Sequence, residues 1–419
     1  MKNEFTHLAE EVIARCRKLA SFSEDAGSTR RTFLSPPMRD AHRQLAQWLE
    51  PVGVRIHIDA VGNLRALYSA SEADSPRLIV GSHLDTVPNA GAYDGPLGVL
   101  LGLGLLQALH GRKFPYAIEV VGFSEEEGVR FGVPFIGSRA LVGRVDQTLL
   151  DTKDTRGIPV RESIEQFGQN PKEIPQARAS SDVCGYLEFH IEQGPVLENL
   201  NLPLAVVEAI AGQSRMEFTF VGRANHAGTT PMNLRHDAMA GAAGWITAVE
   251  RIAKETSGLV ATVGSVQTIP GTVNVIAGEA RLSLDVRHQD DEVRTTAVEQ
   301  IIHSAREIAR LRGLSVCWIE QMNQPGVAMD PFLSSQIEQA IGKVGCRPHR
   351  MVSGAGHDAM IMAEQVPAAM IFLRTPGGIS HDPAESVLVD DVAKTIEVGL
   401  YLLDQLALAP TFHKRTCRA

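Results

Sequence analysis

The chain has little cysteine, few aromatic residues, no surplus of positive charge and no long apolar run. Each deficit closes a class of function. Five cysteines occur among 419 residues (Cys16, Cys184, Cys317, Cys346 and Cys417), and none forms a C-x-x-C pair. Odd in number and widely spaced, they offer neither a disulfide framework nor a cysteine zinc site, and they suit a reducing compartment. Forty basic residues stand against 49 acidic ones, a net charge of −9. A nucleic-acid binder needs a basic stripe for phosphates, so that partner class is set aside. The most apolar stretch, 99–109, is interrupted by Gly102 and Gly104 and is too short to span a bilayer. The N-terminal MKNEFTHLAEEVIARCRKLA reads as a charged amphipathic helix rather than a signal peptide, and the expectation is a cytoplasmic protein with no membrane partner. An aromatic content of 5 % beside fourteen histidines points to polar chemistry.

What is present falls into two textures. A chain of 419 residues exceeds what one hydrophobic core usually accommodates, so two domains are expected. Residues 1–20 and 37–50 read as helices, the second opened by Pro36-Pro37, which suit a first helical turn. VRIHIDAVGNLRALY reads as a hairpin turning at Gly62-Asn63. Strand–helix alternation follows in PRLIVGSH, a helix near 96–110, YAIEVVGFSE and YLEFHIEQ, the pattern of an α/β domain with a mostly parallel, buried sheet. Between 212 and 327 the order becomes βαββαβ, with RMEFTFVG, LVATVGSVQTI, ARLSLDVRH and LSVCWIE as strands and 236–255 and 290–312 as helices. That order is ferredoxin-like. IFLRTPGGISH and a closing helix near 388–407 restore the first texture. The expected architecture is therefore a discontinuous α/β domain, 1–211 and 328–419, interrupted by a small domain at 212–327.

Polar clusters follow the apolar strands of the larger domain. LIVGSHLDTV carries His83 and Asp85, with Asp94 following in AGAYDGPLG. EVVGFSEEEG carries Glu125, Glu126 and Glu127, LEFHIEQGP carries His190, Glu192 and Gln193, and GGISHDPAE places His381 after the strand MIFLR. Carboxyl ends of parallel strands form the ligand crevice of α/β sheets, so these clusters are expected to converge. Imidazoles and carboxylates are the ligands of zinc and its first-row neighbours, and their number suffices for two ions. A carboxylate shared between two ions fits a tight turn, and Asp94 sits among Gly91, Gly95 and Gly98. In His-x-Asp, His83 can face a metal while Asp85 points back to orient a ligand ring. Any one cluster alone would more often be a solvated loop or a satisfied structural histidine. The conjunction of four carries the reading.

The ordered motifs GSHLDTV, AYDGPLGV, SEEEGVRF, HIEQGPVLE, NHAGTTPM, SGAGHDAM and GISHDPAE resemble those of the M20 dinuclear-zinc amidohydrolases. Within them they are most similar to the hydantoinase/carbamoylase branch, which includes N-carbamoyl-L-amino-acid hydrolases, allantoate amidohydrolases and β-ureidopropionases. The motifs extend from residue 81 to 385, nearly the whole chain. The resemblance implies a zinc-peptidase-like catalytic domain with an inserted lid and dimerisation domain, hence a homodimer. It implies two divalent ions per subunit, with Zn first and Mn, Co or Ni as alternatives. His83 and His190 would hold one ion, Glu127 and His381 the other, and Asp94 would bridge them. Histidine at 190 is similar to the carbamoylase branch rather than to peptidase relatives with aspartate there. Glu126 is implied as general base, with Asp85 orienting His83. That register is set by aligning the following GVRF.

The resemblance also implies that His226 in NHAGTTPM polarises a substrate oxygen, in this family often across the dimer. Arg287 would grip the substrate carboxylate, a task suited to guanidinium geometry. Without the resemblance it would be a strand-end arginine paired with Asp290 or Asp291. Asn274, Gln193 and Gln213 would add amide contacts, and Gly356 with His357 would lie where backbone approaches substrate. The implied reaction is hydrolysis of the ureido C–N bond of an N-carbamoyl amino acid or allantoate, a small-molecule substrate, releasing ammonia and carbon dioxide. Three other readings compete: an M20 aminoacylase or dipeptidase cleaving an ordinary amide, an inactive metal-binding scaffold, and nucleotide binding by GVLLGLGLL. The last lacks G-x-G-x-x-G and lies inside a helical stretch, where small residues allow close packing.

Overall fold

The structure, a computed structural model, describes residues 2–409 and residue 412. The chain divides into two compact units: residues 1–208, 329–351 and 356–419, and residues 209–328 with 352–355. The return of 352–355 to the second unit is an excursion that the sequence gives no sign of.

In the first unit, Arg77–His83, Ala117–Phe123, Val183–Ile191 and Ala368–Leu373 pair in parallel, in the spatial order 117–123, 77–83, 183–191, 368–373. All nine residues of Val183–Ile191 are buried, as expected of a strand covered on both faces. Antiparallel strands flank this core: the hairpin Arg55–Ile58 and Leu64–Tyr68 on one side and Leu204–Ile210 on the other. The hairpin turn is closed by Asp59, whose carboxylate accepts from the N–H groups of Val61 and Asn63. Helix Pro96–Ala108 contains the GVLLGLGLL stretch and is buried along most of its length. A side chain at Gly98 would collide with the Phe189 carbonyl at 2.2 Å, so these small residues let helix and sheet touch. Helices Lys2–Ala20, Pro331–Lys343 and Val389–Ala407 complete the layers. Among the described residues no helix is long and apolar enough to cross a membrane. Cys16, Cys184, Cys317 and Cys346 are free thiols, and Cys417 lies outside the described residues.

The second unit is an antiparallel sheet ordered Val266–Ile269, Glu279–His288, Gly212–Val221, Ser315–Gln324, the ferredoxin-like order. Helices Ala238–Glu255 and Asp291–Arg312 cover one face. Alternation decides which side chains go there: Ala280, Leu282, Leu284 and Val286 are buried, as are Met216, Phe218 and Phe220, around Trp245. Gln213, Arg215, Asp285 and Arg287 therefore project from the opposite face. The run LVATVGSVQTI, expected as one strand, is two, Val260–Thr262 and Val266–Ile269. Between them lies Gly264-Ser265, where Ser265 N and Oγ bond the Ser283 hydroxyl, and no side chain at 264 is available to pack.

Candidate metal centre

His83 is the last residue of its strand, and its Nδ1 lies 3.0 Å from the carbonyl oxygen of Asp85. His190, near the end of the neighbouring strand, places Nδ1 2.9 Å from the Ile191 carbonyl. A carbonyl only accepts, so Nδ1 carries a proton in both rings, and each Nε2 is left facing Asp94. The Asp85 carboxylate has a different task. Fully buried, it accepts from Glu126 N at 2.9 Å and Glu127 N at 3.0 Å, and it stands 3.5 Å from His83 Nδ1. It fixes the loop that carries both glutamates, while the hold on His83 comes through its main chain. Asp94 sits in the turn before helix Pro96–Ala108. Its N–H and that of Tyr93 both donate to Glu385 Oε1, at 3.0 and 2.7 Å. Gly95 adopts φ +83°, and a Cβ there would fall 2.4 Å from the His83 ring, so this turn requires glycine.

These elements bring four side chains around Asp94. Its Oδ1 lies 3.2 Å from His190 Nε2 and 3.8 Å from His83 Nε2, and those two nitrogens are 3.5 Å apart. Its Oδ2 lies 3.0 Å from His381 Nε2, which is 3.5 Å from Glu127 Oε1. One carboxylate thus faces two donor pairs, one oxygen to each. His83, Glu126 and Glu127 form a third group of converging donors. Glu125 belongs to no such group. Its carboxylate is buried, and burial with repulsion from Asp85 holds it well above the usual carboxylate range.

The electrostatics describe buried acids and imidazoles crowded together. Burial opposes ionisation of Asp94, yet the three imidazoles hold it well below the usual carboxylate range. Burial and repulsion from Glu127, Asp358 and Asp85, opposed by His83, hold Glu126 well above that range. Glu127 is pushed up to about 7 by burial and its acidic neighbours, against His83. Buried carboxylates this close raise one another unless a cation lies between them. Asp94 Oδ1 is buried without a hydrogen-bond donor. A shared carboxylate, converging imidazole nitrogens and an orphaned buried oxygen are donors that suit a divalent metal site, and the donor set fits one.

Residues 79–405 match the model of peptidase family M20/M25/M40. The chain belongs to this family. It is 39 % identical to an N-carbamoyl-L-amino acid amidohydrolase of Geobacillus stearothermophilus over 91 % of this chain and 94 % of that protein. It is 36 % identical to allantoate deiminase 2 of Glycine max, over 96 % and 90 % of the two chains. A crystal structure of an amidase of the hydantoinase/carbamoylase family from Burkholderia multivorans superposes with a TM-score of 0.91 at 30 % identity, covering 96 % of this chain and 98 % of that one. The M20 resemblance read from the motifs, and the branch within it, are borne out.

In this M20 chain the other sequence candidates divide between the units. Gln193, at φ +59°, donates from Nε2 to Asp94 Oδ2 at 2.9 Å, so here it secures the shared carboxylate. Glu192 caps the helix Val196–Leu200 through the N–H groups of Val196 and Leu197. His357 is buried with its ring centroid 4.4 Å from that of His190, and Gly356 packs on Phe135. In the second unit, His226 Nδ1 accepts from Gly228 N and Thr229 N at 3.0 and 3.2 Å. Its proton therefore sits on Nε2, which makes the exposed edge of the ring a donor. Asn274 lies across from it, its carbonyl accepting from Ala227 N. Arg287 pairs with Asp285 rather than with Asp290 or Asp291. Asp290 instead caps helix Asp291–Arg312, and Asp291 holds Arg294. Sequence reasoning passed over Glu385, Glu188 and Asp285. Glu188 accepts from Ser82, Tyr186 and Ala359 N behind His190. Each of the three acids also bonds residues distant in the chain, which no local motif reports.

Proposed function

We propose that this protein is a metal-dependent hydrolase of the ureido C–N bond of an N-carbamoyl amino acid or allantoate. Its products would be the free amine, ammonia and carbon dioxide. The observation that carries the reading is the division of the Asp94 carboxylate between His83/His190 and Glu127/His381, with Glu126 beside them. Relatives named for ureido hydrolysis support it across most of the chain.

In this reading His83 and His190 would hold one divalent ion, Glu127 and His381 would hold a second, and Asp94 would serve both, with zinc first among the candidate metals. Such ions, when bound, supply Lewis acidity and acidify water. Glu126, buried and held by its N–H on Asp85, takes the proton of the attacking water and delivers it to the leaving nitrogen. His226, with its proton on Nε2, donates to the carbonyl oxygen as charge develops there. Arg287 binds the carboxylate, with Asn274 and Gln213 alongside, and Gln193 keeps Asp94 in place. A homodimer formed through the second unit, acting as a lid, belongs to the same reading.

The deciding experiment is an ammonia-release screen. The metal-reconstituted protein is offered allantoate, N-carbamoyl-β-alanine, several N-carbamoyl-L-amino acids, and N-acetyl and dipeptide controls. Turnover of a ureido acid is expected. Turnover confined to the acetyl or dipeptide substrates would assign the chain to ordinary amide cleavage instead.

A further inference from the structure

On the open face of the second unit's sheet, Asp285 is the centre of a hydrogen-bonded array. Its Oδ1 accepts from Arg287 Nε at 2.8 Å, and its Oδ2 from Arg287 Nη2 at 3.0 Å. The same Oδ2 accepts from Gln213 Nε2 at 2.7 Å and Arg215 Nε at 2.9 Å. The register produces this convergence. Arg287 pairs with Gln213 and Asp285 with Arg215 on the adjacent strand, so all four side chains leave one face as a block. Arg287 Nη1 donates to the Gly354 carbonyl at 2.5 Å, which adds a third fixed point. The array borders a cavity of about 660 Å³ whose walls include Val260, Thr262 and Val352, all within this unit.

A guanidinium has five N–H donors in one plane. Three are committed, two of them to Asp285 along the edge formed by Nε and Nη2. The plane can no longer turn about the Cζ–Nε bond, and one N–H on each Nη remains without one of these partners. We propose that Asp285 is a positioning residue for recognition of the substrate carboxylate: it locks the Arg287 plane so that its two free Nη–H groups meet a carboxylate side by side. An unheld arginine would lose rotamer freedom on binding, whereas this one has lost it on folding. Arg215 and Gln213 neutralise and anchor Asp285, so it does not compete as a free anion for the same guanidinium. The substrate class that follows is a ureido acid with a free, planar carboxylate. This inference rests on the ureido-acid reading above.

The test compares wild type with Asp285→Asn, which keeps the shape but removes the charge and one acceptor. Each is assayed on an N-carbamoyl amino acid and on its carboxamide. For the variant, KM for the acid is expected to rise at least about tenfold with kcat within about threefold, and the preference for acid over carboxamide to collapse. Equal loss on both substrates, or an unchanged KM for the acid, would overturn the positioning role. A second measurement needs no turnover. In 15N-arginine spectra of the wild-type protein, the Arg287 signals, assigned by their loss in Arg287→Lys, should show separate, slowly rotating Nη groups. A single averaged Nη signal refutes the lock even if the enzyme is active. Locked Nη groups with no ureido hydrolysis would count instead against the proposed reaction.

Discussion

At the scale of single residues, the loop that carries Glu126 and Glu127 is governed by a side chain 41 residues before the first of them. Asp85 accepts both of their backbone N–H groups within a buried site. Asp85→Ala would orphan two buried donors, a loss of about 2–4 kcal/mol in urea unfolding, and would lower metal content together with activity. Glu126→Gln separates the two effects. Bound metal, measured by mass spectrometry, is expected to stay near wild type while turnover falls at least about a hundredfold. Turnover near wild type would remove Glu126 from the base role. His42 gives a pH prediction away from the site. Burial, with Arg31 and Arg39 nearby, pushes its pKa down to about 3. Below the ordinary histidine range the unfolded chain takes up a proton that the folded chain refuses, so stability is lost as pH falls from about 6.5 towards 3. Wild type should lose about 2 kcal/mol more than His42→Gln between pH 6.5 and 5, measured by urea unfolding at each pH.

At the scale of elements, the turn between the strand ending at His83 and helix Pro96–Ala108 is the tightest constraint. Gly95→Ala would drive a methyl group into the His83 ring while also straining a left-handed residue. Reduced metal content in a folded protein is the expected result, read by metal analysis beside circular dichroism. The strands, helices and strand-end clusters were legible because their signals are local. Continuous apolar runs mark buried parallel strands, alternation marks the half-covered sheet of the second unit, and His or Glu after a strand end marks the crevice. What escaped was set by pairing at long range. Glu385 reaches Tyr93 and Asp94 across about 290 residues, and Asp285 meets Gln213 and Arg215 only because two strands align in one register. Without the resemblance, local sequence pairs Arg287 with acids that follow it. In a strand the residue two positions earlier shares its face, so Asp285 is the partner that geometry selects. The break at Gly264-Ser265 was missed for a similar reason, since a strand interruption is decided by what a side chain would have packed against.

At the scale of the whole molecule, two predictions concern assembly and metal. Light scattering is expected to give about twice the 45.3 kDa chain mass, and an active monomer would dismiss any cross-subunit role for His226. Dialysis against a chelator should abolish activity and lower Tm, with zinc, manganese, cobalt or nickel restoring both, because a ligand bound only by the folded state stabilises it. The division of Asp94 between two donor pairs has a further consequence for how damage spreads. His83 and His381 each serve one pair, so their alanine variants should depress metal loading independently and combine additively. Asp94→Ala removes an oxygen from both pairs at once, and adding either histidine variant to it should cost much less than that variant costs alone. The centre would then behave as a circuit with one common node. Its tolerance to mutation is set by how many paths cross a residue, not by how near that residue lies to the substrate.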